Sequence, residues 1–300
     1  MTALVYTVIL IVCTFLIVRK KHEEETRFSL KIIGYFILGS FAFIFDELAL
    51  PLGFIVYLLF FRPTLNAHVK RTAAVYGVLT FVLVHWIIPL AIHEWEYRSI
   101  TIEHELGSVY TINFQDEDER IKEELHLNNH QVKLENFKVE YVKNGQIDDL
   151  GWQLLEPNDN GYKLYQIRYE IDKSQYHVST SQVDNWLQYD RLVNGDYFFE
   201  ILNVLDIKEI TDEKGDYLSY EIRSTGERTY YGIENTEHYI IENGEIHVVE
   251  DGSLPLEGYY ISTFAMLKTE EKRDEQGNIT EEHFEGTAST DYLFDVVFGE

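Results

Sequence analysis

Residues 30–61 are apolar almost throughout, yet two adjacent carboxylates, Asp46 and Glu47, stand at the middle, with Pro51 and Gly53 just beyond. As one straight helix the stretch would carry both charges to the centre of a bilayer, at roughly 2.5–3.5 kcal/mol each. Folded at DELALPLG, it becomes two apolar segments, 32–45 and 48–61, and the carboxylates return to a surface. Proline and glycine favour that bend. Each half is then about 21 Å long at ~1.5 Å per residue, short of a hydrocarbon core of about 30 Å. The pair therefore reads as a short helical hairpin or re-entrant loop that starts and finishes on one side.

The flanking runs extend this reading. Residues 3–18 are uncharged and end on Arg19-Lys20-Lys21. Without a basic lead-in or a small-residue cleavage site, they read as a membrane span and not as a cleaved leader. Residues 72–92 are long enough to span. The Lys and Arg residues of this block fall in two links, 19–31 and 62–71, which the positive-inside tendency assigns to the cytoplasm. Both the N-terminus and everything beyond residue 94 are then expected outside, with Trp95 and Tyr97 in an interfacial aromatic belt. Residues 1–94 are thus read as a transmembrane domain of about four apolar helices, multi-pass in the cell membrane.

His85 lies inside the last apolar run. An ionisable residue at such a position is a functional candidate by default, and its partners in this topology would be Asp46 and Glu47 at the hairpin tip. The competing reading is a neutral histidine bonded to a neighbouring helix. Ala73 and Gly77, small and closely spaced, would let another helix approach.

Charge separates the remainder. Residues 1–94 hold eight Lys/Arg and six Asp/Glu, which leaves 17 and 45 for residues 95–300, a balance of −28. Phosphate recognition needs a basic surface, so nucleic acid is excluded as a partner; cations, basic peptides and polycationic envelope components fit the charge. The single cysteine, Cys13, lies in the first apolar run. No disulfide can form within the chain, so the acidic block must be held by its own core. An aromatic content of 14% supplies the means.

Residues 95–300 read as a soluble α+β domain, mainly an antiparallel meander with one or two helices. Strands are expected at 98–106 and 108–114 around Gly107. A helix opened by Asp116-Glu117-Asp118-Glu119 should run to Leu125. Strands 132–142 and 146–155 flank Asn144-Gly145, a strong hairpin signal, and 163–172 alternates cleanly. Ser179-Thr180-Ser181 offers caps for a helix over 183–192 with Trp186 and Leu187 on one face. Residues 197–210 suit helix or strand, with strand slightly preferred. Further strands follow at 218–224, 228–232, 238–241 and 245–250. Strands 259–268 and 279–284 bracket a long charged turn, and 291–298 closes the sheet.

No phosphate loop, GxSxG elbow, zinc signature or kinase set is present. The run 116–119 lacks the glycine and alternating spacing of a calcium loop. His126 and His130 have no accompanying ligands. No catalytic residue, cofactor or metal is therefore expected. The pattern points to a non-enzymatic multi-pass membrane protein that displays an acidic extracytoplasmic domain for binding, sensing or envelope-complex assembly. Its partners would be the bilayer and another membrane or envelope protein. Two alternatives remain: transport or gating through His85 with Asp46 and Glu47, and an extracytoplasmic hydrolase. A concave cleft with convergent carboxylates would favour the hydrolase.

Overall fold

The computed structural model describes all residues except 1, 46, 47, 128–130, 231–235, 275, 277, 278 and 300. The chain forms two compact units, Met1–Tyr97 and Arg98–Glu300.

The first unit comprises α1 (Thr2–Val18), α2 (Phe28–Ser40), the short strands β1 (Phe43–Phe45) and β2 (Leu48–Leu50), and α3 (Leu52–Phe60). A long helix follows, built from α4 (Ala67–Val82), a π-helical turn (Leu83–Ile87) and α5 (Ile88–Glu96). The apolar stretch does fold back: β1 pairs antiparallel with β2, Phe43 opposite Leu50 and Phe45 opposite Leu48. Asp46 and Glu47, between them in sequence, lie outside the described residues.

Glycine sets the packing of this unit. A Cβ added to Gly39 would collide with the Ala74 carbonyl, and one on Gly77 with the Phe36 carbonyl, so α2 and α4 touch backbone to backbone. The close partner that Ala73 and Gly77 invite is thus the chain's own α2. At the opposite end of α2 the two basic links are clamped together. Asn66 Oδ1 accepts the backbone N–H groups of His22 and Glu23 at 3.1 and 3.0 Å, and its Nδ2 donates to the Glu23 carbonyl at 3.0 Å. The Glu23 carboxylate accepts the Asn66 N–H at 2.7 Å. Lys31 and Lys70 both donate to Glu25 Oε1 at 2.7 Å; the bond from Lys31 first, then that from Lys70, holds the Glu25 carboxyl down to about 2.

The outside of this unit is apolar. Leu4, Ile11, Leu58, Leu59, Phe60, Leu79 and Leu90 are all more than half exposed, where a water-soluble domain would keep such patches small. Among the described residues one helix, Ala67–Glu96, is long and apolar enough to cross a membrane by length and composition; Ala3–Val18 and Phe28–Ser40 are apolar but shorter.

The second unit is built on an eleven-stranded mixed sheet. Its strands are β3 (Ile100–Glu103), β4 (Lys133–Tyr141), β5 (Ile147–Asn158), β6 (Gly161–Glu170), β7 (Gln175–Val183), β8 (Ser219–Ser224), β9 (Thr229–Tyr230), β10 (Glu237–Glu242), β11 (Glu245–Val248), β12 (Glu257–Arg273) and β13 (Ile279–Val297). They lie in the order β11-β10-β13-β12-β8-β4-β5-β6-β7-β3, with β9 beside β12. Alternation gives each central strand one apolar face. Phe137, Val139 and Tyr141 of β4, Leu150 and Trp152 of β5, and Ile261 of β12 turn to one side. There they meet Phe114 and Ile121 of α6 (Phe114–Leu125), Phe198 and Phe199 of α7 (Gly195–Leu202), and Ile207 and Ile210 of α8 (Ile207–Lys214) in one core. All three helices cover the same face. The other face is open along its middle, while toward the β5–β6 turn Leu155 and Leu164 are covered by Leu192 in a second, smaller core.

Several expectations need correction. The sheet is not a simple meander, because β10 runs parallel to β13 while the other ladders are antiparallel. Among the described residues three α-helices, not one or two, accompany it. Residues 197–202 and 207–210 are helical, joined by a turn over 203–206: Asn194 and Asp206 cap α7 and α8 by accepting the N–H groups of Tyr197 and Glu209. The helix expected over 183–192 is absent, because 179–181 belong to β7 and the chain then turns, leaving Leu187 92% exposed. Residues 108–113 form turns, not a strand. Strands 279–284 and 291–298 are parts of one long β13, bent where Ala288 takes φ 47°.

A candidate ligand groove on the open sheet face

Along the middle of the other face the side chains are mostly polar, and the register aligns them across the strands. Asp291 pairs with Ser262, Ser262 with Arg223, Arg223 with Lys138, Lys138 with Gly151, Gly151 with Arg168 and Arg168 with His177. Directly opposed residues share a face, so this row runs perpendicular to the strands from β13 to β7. A cleft of about 620 Å³ lies over one part of it, bordered by Asn136, Lys138, Glu221, Arg223, Ser262 and Asp291. A second, of about 280 Å³, is lined by Asn136 and Lys138 again, with Asp149, Gly151, Gln153 and Arg168. Because they share two residues, the clefts form one trough.

Charge within the trough is internally matched. Lys138 Nζ lies 2.6 Å from Glu140, 3.7 Å from Asp149 and 3.8 Å from Glu221. Arg223 approaches Glu221 at 3.5 Å and stacks 4.5 Å over the Phe264 ring. Arg168 lies 3.6 Å from Asp149. Ser262 Oγ donates to the buried Asp291 carboxylate at 2.5 Å. Burial pushes the Glu221 carboxyl above its usual range, against the pull of Lys138 and Arg223 and with a further push from Glu140. Gly151 leaves the floor of the trough bare, since a Cβ there would crowd the Ile167 carbonyl at 2.8 Å.

A further cleft of about 650 Å³ lies where α8 faces β10 and β13. Lys214 projects there; its Nζ donates to Ala288 O and to Thr290 Oγ1 at 3.0 Å, and burial brings its ammonium down to about 8. Tyr239 and Tyr292 stack beside it, centroids 5.2 Å apart.

This chain belongs to an archaeal family. The family's model matches residues 115–298, more than half of the sequence. The matched span in this archaeal family member runs from the first turn of α6 to the end of β13 and so includes every residue named for these clefts. No curated protein and no solved structure matches the chain.

The residues singled out in the sequence are distributed differently. His85 sits in the π-helical turn with its ring 5.0 Å from that of Phe81. Its proposed partners Asp46 and Glu47 fall outside the described residues. His126 closes α6 in the left-handed conformation, φ 56°, and His130 lies outside the described residues. Among the described residues no group of three or more His, Cys, Asp or Glu is arranged to hold a metal.

The acidic run 116–119 does more than open a helix, whose cap is Asn113. Glu117 and Asp118 turn inward. Glu117 accepts from Tyr176 Oη at 2.9 Å and meets His104 at 3.1 Å. Asp118 accepts from Trp152 Nε1 at 3.0 Å and pairs at 2.5 Å with Lys122, which also reaches Asp196 at 2.6 Å. Burial raises the Asp118 carboxyl to about 6 despite Lys122. This network is closed upon itself and pins α6 to β5 and α7.

Sequence reasoning missed the trough. The signal was the polar half of each alternating strand, Asn136, Lys138 and Glu140 in β4 and Glu221 and Arg223 in β8. Only the strand order brings these sets together.

Proposed function

We propose that the chain is a multi-pass membrane protein whose first unit is embedded in the cell membrane and whose acidic second unit acts outside it as a non-enzymatic binding domain, with the trough as its ligand site. The observation that carries the membrane reading is the first unit's apolar exterior, which lipid would cover at no cost to solvation. The clamp of Asn66 and Glu25 supports the topology, because it holds both basic links at the same end, as an N-terminus-out, C-terminus-out arrangement requires.

The test uses Gly252→Cys, where a new side chain meets nothing within 4 Å, in a chain with Cys13→Ser. An impermeant maleimide should label intact cells. Protection until lysis would overturn the topology.

A second reading has one observation in its favour. Glu221 and Asp291, both largely buried, line the same cleft, and a carboxyl held above its usual range suits a general acid. On that hydrolase reading Glu221→Gln would abolish turnover of a bound ligand without preventing binding; turnover unaffected by the substitution would remove it.

A further inference from the structure

We infer that the trough takes an uncharged, hydroxyl-rich polymer, a neutral oligosaccharide chain laid across the strands; the inference rests on the binding-domain reading above. Four features of the trough lead there.

The first is shape. The shared residues Asn136 and Lys138 join the two clefts into one channel over β13, β12, β8, β4, β5 and β6. At about 4.8 Å per strand that is roughly 24 Å, and the strand step is close to the rise per ring of an extended pyranose chain. The second is charge. Lys138, Arg223 and Arg168 each face carboxylates already in place. An anionic ligand would be repelled by Glu140, Glu221, Asp149 and Asp291, and a cationic one by the three basic groups. A neutral ligand disturbs none of these pairs.

The third is hydrogen-bonding capacity. Asn136 and Gln153 in the trough, with Gln166 at its edge, offer amides that donate and accept, as sugar hydroxyls do. The fourth is the apolar component. Tyr260 borders the channel and Gly151 bares its floor, which suits the C–H faces of sugar rings. A peptide ligand fits less well, because peptides recognised by sheets add along an edge strand and not across a face.

Calorimetry on the full chain in detergent would use malto-, cello-, manno- and chito-oligosaccharides, with oligogalacturonate and oligolysine as charged comparators. Neutral chains should bind with affinity that rises with length and changes little with salt. Asn136→Ala with Gln153→Ala should weaken binding about tenfold or more, the loss of roughly one net hydrogen bond, while the thermal midpoint stays close to that of the parent. Salt-sensitive binding of a charged polymer that those substitutions abolish would overturn the neutral-ligand inference and leave the binding-domain reading standing. No binding by any polymer in the panel would overturn the inference and count against the trough as a ligand site.

Discussion

Replacing Lys122 with methionine should destabilise the second unit by about 3–5 kcal/mol at neutral pH, the range observed when one partner of a buried pair is removed. Methionine keeps most of the side-chain volume but strands Asp118, which is 1% exposed and would retain only the bond from Trp152 Nε1. The loss should depend on pH in a defined direction. Asp118 already titrates at about 6 when folded against 3.8 as a free side chain. A carboxyl raised in this way favours the folded state below its unfolded value, and that contribution is lost as pH rises through the folded value. Removing Lys122 raises the folded value further, so the variant's deficit should be smaller near about pH 5 than near about pH 8. Urea unfolding of the full chain in detergent at both values measures this. Asp118→Asn keeps an acceptor for Trp152 and mimics the protonated acid, so relative to the parent it should gain stability as pH rises from about 4 to about 7. A Lys122→Met deficit that is the same at both pH values would mean that lost packing, not a stranded charge, governs the site.

A leucine at Gly77 should pull the first unit apart. The α2–α4 contact leaves no room for even a Cβ, since the atom it would meet is the backbone carbonyl of Phe36, which cannot rotate aside as a side chain would. Overpacking costs about 1–3 kcal/mol where side chains can yield, and the cost here should reach or exceed the top of that range. Leucine at Gly34 provides the contrast, because a Cβ there meets nothing within 4 Å. Limited trypsin digestion in detergent should cleave the Gly77→Leu chain within its first hundred or so residues under conditions where Gly34→Leu resists. Equal resistance would mean that α2 and α4 are not packed backbone to backbone.

What could be read from the sequence follows from how local each signal is. Asn144-Gly145 gave the β4–β5 hairpin, and the bend in residues 30–61 followed from Pro51, Gly53 and two carboxylates that no bilayer centre would accept. The helices at 195–214 were missed because Asn194-Gly195 resembles a helix end as readily as a start, and because Tyr197, Phe198, Phe199 and Ile201 all suit strands. The packing of Phe198 and Phe199 against Phe137, and of Phe199 against Trp152, decides the matter, and no window of sequence contains those contacts. The parallel pairing of β10 with β13 joins segments some fifty residues apart in sequence. The trough depends on two other long-range pairings, β12 with β8 and β8 with β4. Its polar positions were visible strand by strand as solvent-facing halves, but their alignment into one row was not.

The place of β13 in the sheet has a consequence for how the molecule is made. The hairpin of β10 and β11 joins the sheet through β13, yet both its strands are synthesised before β13 exists. While the chain is being elongated, β10 therefore presents an unsatisfied edge that only β13 can occupy. Closure of the sheet is timed by arrival of residues 290–294, which pair with 237–241. Stalled or prematurely released chains would carry an adhesive, half-built sheet, which makes that interval the point at which a chaperone or neighbouring subunit has most to protect.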